Sequence, residues 1–174
     1  MNTPNNKRRK ESKSKIEQVF IELLETNELG RISVTDICKC AGVNRSTFYA
    51  NYMDVFDLAD AVQKNLEEDV LSLYAEEVSQ GRSSYDFLKL FRHIKENPSL
   101  YRTYFKLNAG KGFRFMRYDK NSALLRFDMR HLEYHIEFFG NGLNAVLRKW
   151  LDNDCRESPE EIFDIIREEY AVFM

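Results

Sequence analysis

Six cations fall within nine positions near the N-terminus: Lys7, Arg8, Arg9, Lys10, Lys13 and Lys15. Lysine and arginine at that density attract phosphate groups whatever the base sequence between them. The plainer alternative is a solvated terminal arm. Two other sets invite a metal. Cys38 and Cys40 form a Cys-x-Cys, but on a helix positions i and i+2 point about 200° apart, so the thiolates cannot share one ion. Cys38 therefore reads as a small core residue; redox sensing or metal binding, with Cys155 as a remote possible partner, is the alternative. His131 and His135 are four apart, a helical spacing that can chelate zinc, and His93 offers a third ring. No acidic or cysteine cluster accompanies them, so polar lining or a solvent-facing position is expected. There is no glycine-rich phosphate loop, no nucleophile elbow and no carboxylate pair that spacing singles out. The expectation is a non-enzyme with no catalytic residue, no metal and no cofactor.

The elements that must position these groups are bounded by composition. The chain has 174 residues, 43 % of them apolar, with only 7 Gly and 3 Pro. That excludes disordered and collagen-like classes and suits one domain, or a small one fused to a medium one. No apolar run approaches the ~18 residues of a membrane span, and the first thirty residues lack a secretory core. Three cysteines, an odd number, make no disulfide framework, so a reducing cytoplasm is expected. The net charge of −2 taken alone argues against a nucleic-acid partner, but it is unevenly spread: residues 1–52 carry +3 and residues 53–174 carry −5.

Apolar residues recur at helical spacing throughout. Ile16, Val19, Phe20, Leu23 and Leu24 mark a first helix from about Lys10 to Asn27, stopped by Gly30. Ser33-Val34-Thr35-Asp36 is a capping box opening a short helix. Ala41-Gly42-Val43-Asn44 interrupts it, and a further helix runs from about Arg45 to Asn51. Asp54 caps the next, whose stripe Val55, Leu58, Ala59, Val62, Leu66, Val70 and Leu73 runs about six turns to Ser79-Gln80-Gly81. Tyr85, Leu88, Phe91 and Ile94 mark another, closed by Asn97-Pro98, with Asn97 as cap and Pro98 in the first turn of its successor. Residues 108–121 read as a loop, and 122–152 as a long aromatic segment with a break or close contact at Gly140 and Gly142. Ser158-Pro159-Glu160-Glu161 starts the last helix. No stretch alternates long enough for a strand, so the fold class is all-α, about nine helices in total.

The first three helices match a helix-turn-helix. Cys38 supplies the small residue where its two helices meet. Gly42, four residues on, tolerates positive φ in the turn. Phe48, six further, plugs the recognition helix into the core. Ile37, Ala41 and Val43 complete the inner face. With these residues, and with Ser33-Val34-Thr35-Asp36-Ile37, Ala41-Gly42-Val43-Asn44, Ser46-Thr47-Phe48-Tyr49, Tyr52 and Leu58, the chain resembles the TetR family of bacterial transcriptional regulators over roughly residues 15–60. Gly140-Asn141-Gly142 through Trp150 to Ser158-Pro159-Glu160-Glu161 is similar to the C-terminal end of one branch of that family.

The resemblance implies a DNA-binding domain at 1–54, with its basic arm Lys7, Arg8, Arg9 and Lys10, followed by an effector-binding and dimerisation domain at 55–174. It implies a homodimer on a palindromic operator in double-stranded DNA, each recognition helix in one major groove. Thr35, Arg45, Ser46 and Thr47 then face base edges or adjacent backbone, while Tyr49 and Asn51 meet phosphates. Arg45 is the expected reader, because a guanidinium can bond guanine O6 and N7 together. One departure stands out: Val55, followed by Phe56, occupies the position where the family usually has a phosphate-binding lysine. The basic stretch Lys7–Lys15 is then expected to compensate.

Of 23 Phe, Tyr and Trp, 19 lie after residue 52. Most are expected in the core, but Phe91, Tyr101, Tyr104, Phe105, Tyr134 and Phe138, with His135 as polar handle, are the expected lining of a pocket for a small apolar or aromatic effector. Gly140, Gly142, Leu143, Val146, Leu147 and Trp150, with Ile162, Ile166 and Tyr170, are the expected dimer surface, a two-fold four-helix bundle. The alternative is that they close the subunit's own core. Repression relieved by effector is the expected function. An activator whose C-terminal domain docks a protein, or a ligand binder without DNA affinity, are the alternatives.

Overall fold

Ser33 opens its helix as the spacing predicts. Its Oγ accepts from the Asp36 amide, and the Asp36 carboxylate accepts from the Ser33 amide in return. Ser33 Oγ–H also donates to the Asp36 carboxylate, and that bond, ahead of the one from the Ser33 amide, holds the Asp36 carboxyl below its ordinary range. The structure, a computed structural model, describes residues 4–80, 87–108 and 131–171. Among them are nine α-helices and no strand: α1 (Pro4–Thr26), α2 (Val34–Ala41), α3 (Arg45–Tyr49), α4 (Val55–Leu73), α5 (Ala75–Ser79), α6 (Phe87–Glu96), α7 (Pro98–Leu107), α8 (Leu132–Asp152) and α9 (Pro159–Ala171), with a 3₁₀ turn at Leu29–Arg31.

The chain divides into two compact units, Met1–Leu66 and Glu67–Met174. The division falls inside α4, whereas the expected boundary lay just before that helix. The first unit closes over Ile16, Phe20 and Leu24 of α1, Ile37 and Cys38 of α2, Phe48 of α3, and Leu58, Val62 and Leu66 of α4, all buried. In the second unit Leu90, Phe91, Ile94, Tyr101, Tyr104, Leu143, Leu147, Trp150 and Ile162 are buried. Phe91 packs edge-on against Trp150, and Phe87 against Phe139.

Four local expectations are corrected. The helix begun at Val55 does not run unbroken to Ser79: Tyr74 is in a turn, its amide bonded three residues back to Leu71. α3 ends at Tyr49, with Ala50 as its C-cap, rather than at Asn51. Asn97 sits at the cap position of α7, but its amide donates backwards to the His93 carbonyl and closes α6 instead. Gly140 and Gly142 do not break α8, which runs through both, and a methyl group placed at either would meet nothing within 4 Å. Ser158 does cap α9 with Pro159 in its first turn: its Oγ accepts from the Glu161 amide, and Glu161 accepts from the Ser158 amide. Of the expected loop at 108–121, Asn108 is the C-cap of α7; the rest of it and the start of the 122–152 segment lie outside the described residues.

Among the described residues no helix is long and apolar enough to cross a membrane, and no group of three His, Cys, Asp or Glu could hold a metal. His131 and His135 are exposed, and His93 Nδ1 lies 2.6 Å from the Tyr101 hydroxyl. Cys38 is buried and Cys40 exposed.

Candidate nucleic-acid interface

Gly42 ends α2 in the left-handed region, φ 63°, and its amide returns to the Cys38 carbonyl. The chain thereby reverses within three residues and begins α3 at Arg45. Phe48, fully buried, anchors that five-residue helix, packing edge-on against Tyr49 and tilted against Tyr52. With one face fixed, the opposite face is solvent. Thr35 on α2 and Arg45 and Ser46 on α3 are exposed, Tyr49 is about half exposed, and Thr47 is half-buried. Arg45 Nη2 donates to the Tyr49 hydroxyl at 3.3 Å, and its guanidinium carbon lies 5.9 Å from that ring's centre. A cation held one turn from its partner on an exposed helix face has less side-chain freedom left to lose when it binds.

The basic stretch is not an irregular arm: Lys7, Arg8, Arg9 and Lys10 belong to α1. All four are exposed. Arg9 faces α3: its Nε donates to Asn51 Oδ1 and its Nη2 to the Ala50 carbonyl, both at 3.2 Å. Asn51 Nδ2 in turn donates to the Thr47 carbonyl at 2.8 Å. Both ends of the Asn51 carboxamide are thus engaged within the unit. Two turns along the same face of α1, Glu17 Oε1 accepts from the Tyr52 hydroxyl at 2.7 Å and from Asn65 Nδ2 at 2.9 Å, with Lys13 3.7 Å away. Burial and this carboxylate push the Tyr52 hydroxyl well above its usual range, so it remains a donor.

At the start of α4, Asp54 Oδ1 accepts from the amides of Phe56 and Asp57, and Asp57 accepts from the Met53 amide. Val55 is buried, while Met53 and Phe56 are strongly exposed. Asp54, Asp57 and Asp60, against Lys64 alone, reduce the basic excess of the first unit to +1 when it is counted to Leu66. The positive charge therefore belongs to α1 and the helix-turn-helix rather than to the unit as a whole.

In the second unit the expected pocket residues are not brought together. Phe91, Tyr101, Tyr104 and Phe105 are packed core, whereas Tyr134, His135 and Phe138 stand in solvent, the two rings at 70 % and 67 % exposure. The expected dimer surface is corrected more sharply. Leu143, Leu147, Trp150 and Ile162 are buried inside this one chain, because α8 turns that stripe inward. Gly140, Val146 and Ile166 are half-buried and Gly142 is exposed; the side chain of Tyr170 lies outside the described residues. Trp150 Nε1 donates to the Glu157 carbonyl, which also accepts from Lys95, so its polar edge is satisfied internally.

Residues 83–168 match the family model TetR_C_8, described as a transcriptional regulator C-terminal region. This C-terminal region is that of a TetR-type transcriptional regulator. Two solved structures share the fold of this TetR-type regulator. The dihydroxyacetone kinase operon activator DhaS is 18 % identical, with a TM-score of 0.52, covering 92 % of this chain and 94 % of its own. The fatty acid degradation regulator FadR from Bacillus halodurans is 13 % identical, with a TM-score of 0.59, covering 90 % and 93 %. No curated protein sequence matches.

Within this TetR-type regulator, sequence reasoning missed the contacts made by Arg9 and Glu17. Their signal was present: Arg9, Lys13 and Glu17 are spaced four apart and share one face of α1. It also missed Arg102, which donates twice to the Leu151 carbonyl at the end of α8 and once to Asp154. Asp154 and the next residue, buried Cys155, both adopt positive φ there.

Proposed function

We propose that this transcriptional regulator acts as a homodimer, placing α3 of each subunit in the major groove of one half-site of a palindromic operator. Arg45 reads a guanine, Thr35, Ser46 and Thr47 meet base edges or nearby backbone, Tyr49 meets a phosphate, and Lys7, Arg8 and Lys10 add phosphate contacts. The observation that carries this reading is the exposed Arg45–Tyr49 pair on a helix whose other face is fixed by buried Phe48. Tyr134, Phe138 and Ala145 form an exposed stripe on α8, with Gly142 beside it, and Ile165 is exposed on α9. In the proposed dimer this stripe, not Leu143, Leu147 and Trp150, faces the second subunit. Repression is relieved when a small apolar or aromatic effector bound by the C-terminal unit favours a subunit arrangement that no longer matches half-sites ~34–36 Å apart.

Selection of bound sequences from a random DNA pool tests this reading. A two-fold symmetric consensus is expected, and no enrichment would defeat it. A second reading, an activator whose exposed α8 aromatics dock another protein, is favoured by the likeness to an operon activator and by the net acidity after residue 52. Transcription from the selected promoter with and without the protein separates the two.

A further inference from the structure

We infer that Arg9 is a positioning residue for the recognition helix rather than a phosphate contact, so that the basic cluster of α1 divides by task. This rests on the reading of α3 as the DNA-reading helix. The five residues of α3 are too few to hold a helix by their own hydrogen bonds. Its N-terminal end follows directly from the Gly42 turn, and its middle is pinned by Phe48. Its C-terminal end carries carbonyls that no longer have helical partners and the negative end of the helix dipole. Arg9 meets that end twice, at the Ala50 carbonyl and through Asn51, which holds the Thr47 carbonyl. A planar fork that donates along two directions fixes orientation as well as distance; a lysine ammonium at the same place supplies charge without the fork. Lys7, Arg8 and Lys10 project from α1 about 160–100° away from Arg9 at the helical 100° per residue, so they remain for other contacts.

The arrangement separates two properties that a simple basic patch would join. Cations on phosphates raise affinity for every sequence and steepen its salt dependence by about 0.9 per contact. A brace on the recognition helix leaves non-specific binding alone and affects only the bonds that choose bases.

The test measures affinity for the selected operator and for a scrambled duplex across a salt series, using the full-length chain and the variants Arg9→Lys, Arg9→Gln and the triple Lys7→Gln/Arg8→Gln/Lys10→Gln. Both Arg9 variants are expected to lose about tenfold on the operator, the worth of one charge-assisted bond, with scrambled-duplex affinity and salt slope unchanged. The triple variant is expected to lose affinity for both duplexes with a shallower slope. Arg9→Lys matching the wild type, or Arg9→Gln lowering both affinities together with a shallower slope, makes Arg9 a phosphate contact and overturns the inference. Both affinities falling together at unchanged slope makes its role purely one of fold stability and overturns it as well. Absence of any preferred sequence for the unaltered chain instead removes the DNA reading itself. Amide exchange in DNA-free protein then still decides the brace: Ala50, Asn51 and Tyr52, bonded to Ser46 and Phe48, should exchange faster in Arg9→Lys while α2 does not.

Discussion

In the N-terminal unit Thr35, Arg45, Ser46 and Tyr49, four of the residues expected to meet DNA, stand on the surface, while Thr47 and Asn51 are half-buried. In the C-terminal unit Leu143, Leu147, Trp150 and Ile162, expected to meet a second subunit, are inside. The difference lies in helix length. α3 has five residues and one buried position, so fixing Phe48 assigns every other side chain. α8 has 21 residues and carries two apolar stripes. Phe139, Leu143, Leu147 and Trp150 form one, and Tyr134, Phe138 and Ala145 form the other, about 155° round the helix. Both stripes have helical period, and periodicity alone does not distinguish a core from an interface.

The largest effect expected from this contrast is on stability. Phe48→Ala and Trp150→Ala each remove a fully buried ring and should each cost about 3–5 kcal/mol in chemical unfolding. If Trp150→Ala were instead stable but monomeric, the assignment of its stripe to the core would be wrong. Next in size is the complementary change, Tyr134→Ser with Phe138→Ser. It should leave the unfolding free energy of the subunit nearly unchanged and shift the protein from dimer to monomer in sedimentation. A dimer of unaltered strength would place the interface elsewhere.

Smaller again is Gly42→Ala, which forces a side chain into φ 63° and should cost about 1–2 kcal/mol. The cost is purely conformational, because a methyl group there meets nothing within 4 Å. The smallest effects concern the caps. Ser33→Ala and Ser158→Ala should each cost about 1 kcal/mol. Asp36 and Glu161 are both held below their ordinary values of 3.8 and 4.5, chiefly by bonds from Ser33 and Ser158. Their contribution is therefore complete above those values and lost as pH falls through the lower folded ones. The wild type should lose stability over that acid range, and each serine variant should lose less; equal slopes would show that the caps do not carry the shift.

What could be read in the sequence follows the same division. Capping boxes, the Gly42 turn and the Phe48 plug depend on residues within six positions of each other, and all are seen as expected. The contacts that escaped are long in sequence. Arg9 reaches Ala50 and Asn51, Glu17 reaches Tyr52 and Asn65, and Arg102 reaches Leu151. Each joins a polar group to a helix end or to a distant side chain, and no local spacing encodes such a pair. Arg9 and Arg102 even share a task, since each donates to carbonyls at a helix C-terminus. Composition showed only that the first of them belonged to a basic cluster. Asn51 illustrates the cost of carrying a role over by position: the resemblance assigns it to phosphate, while its carboxamide is occupied by Arg9 and Thr47.

The central claim is that α3 reads DNA sequence through Arg45. The most direct measurement repeats the random-pool selection with Arg45→Ala beside the unaltered chain. Loss of preference at one base pair in each half-site, with the rest of the symmetric consensus kept, is the expected result. A discrimination of ~1–3 kcal/mol at that base pair should disappear. An unchanged consensus would contradict the claim.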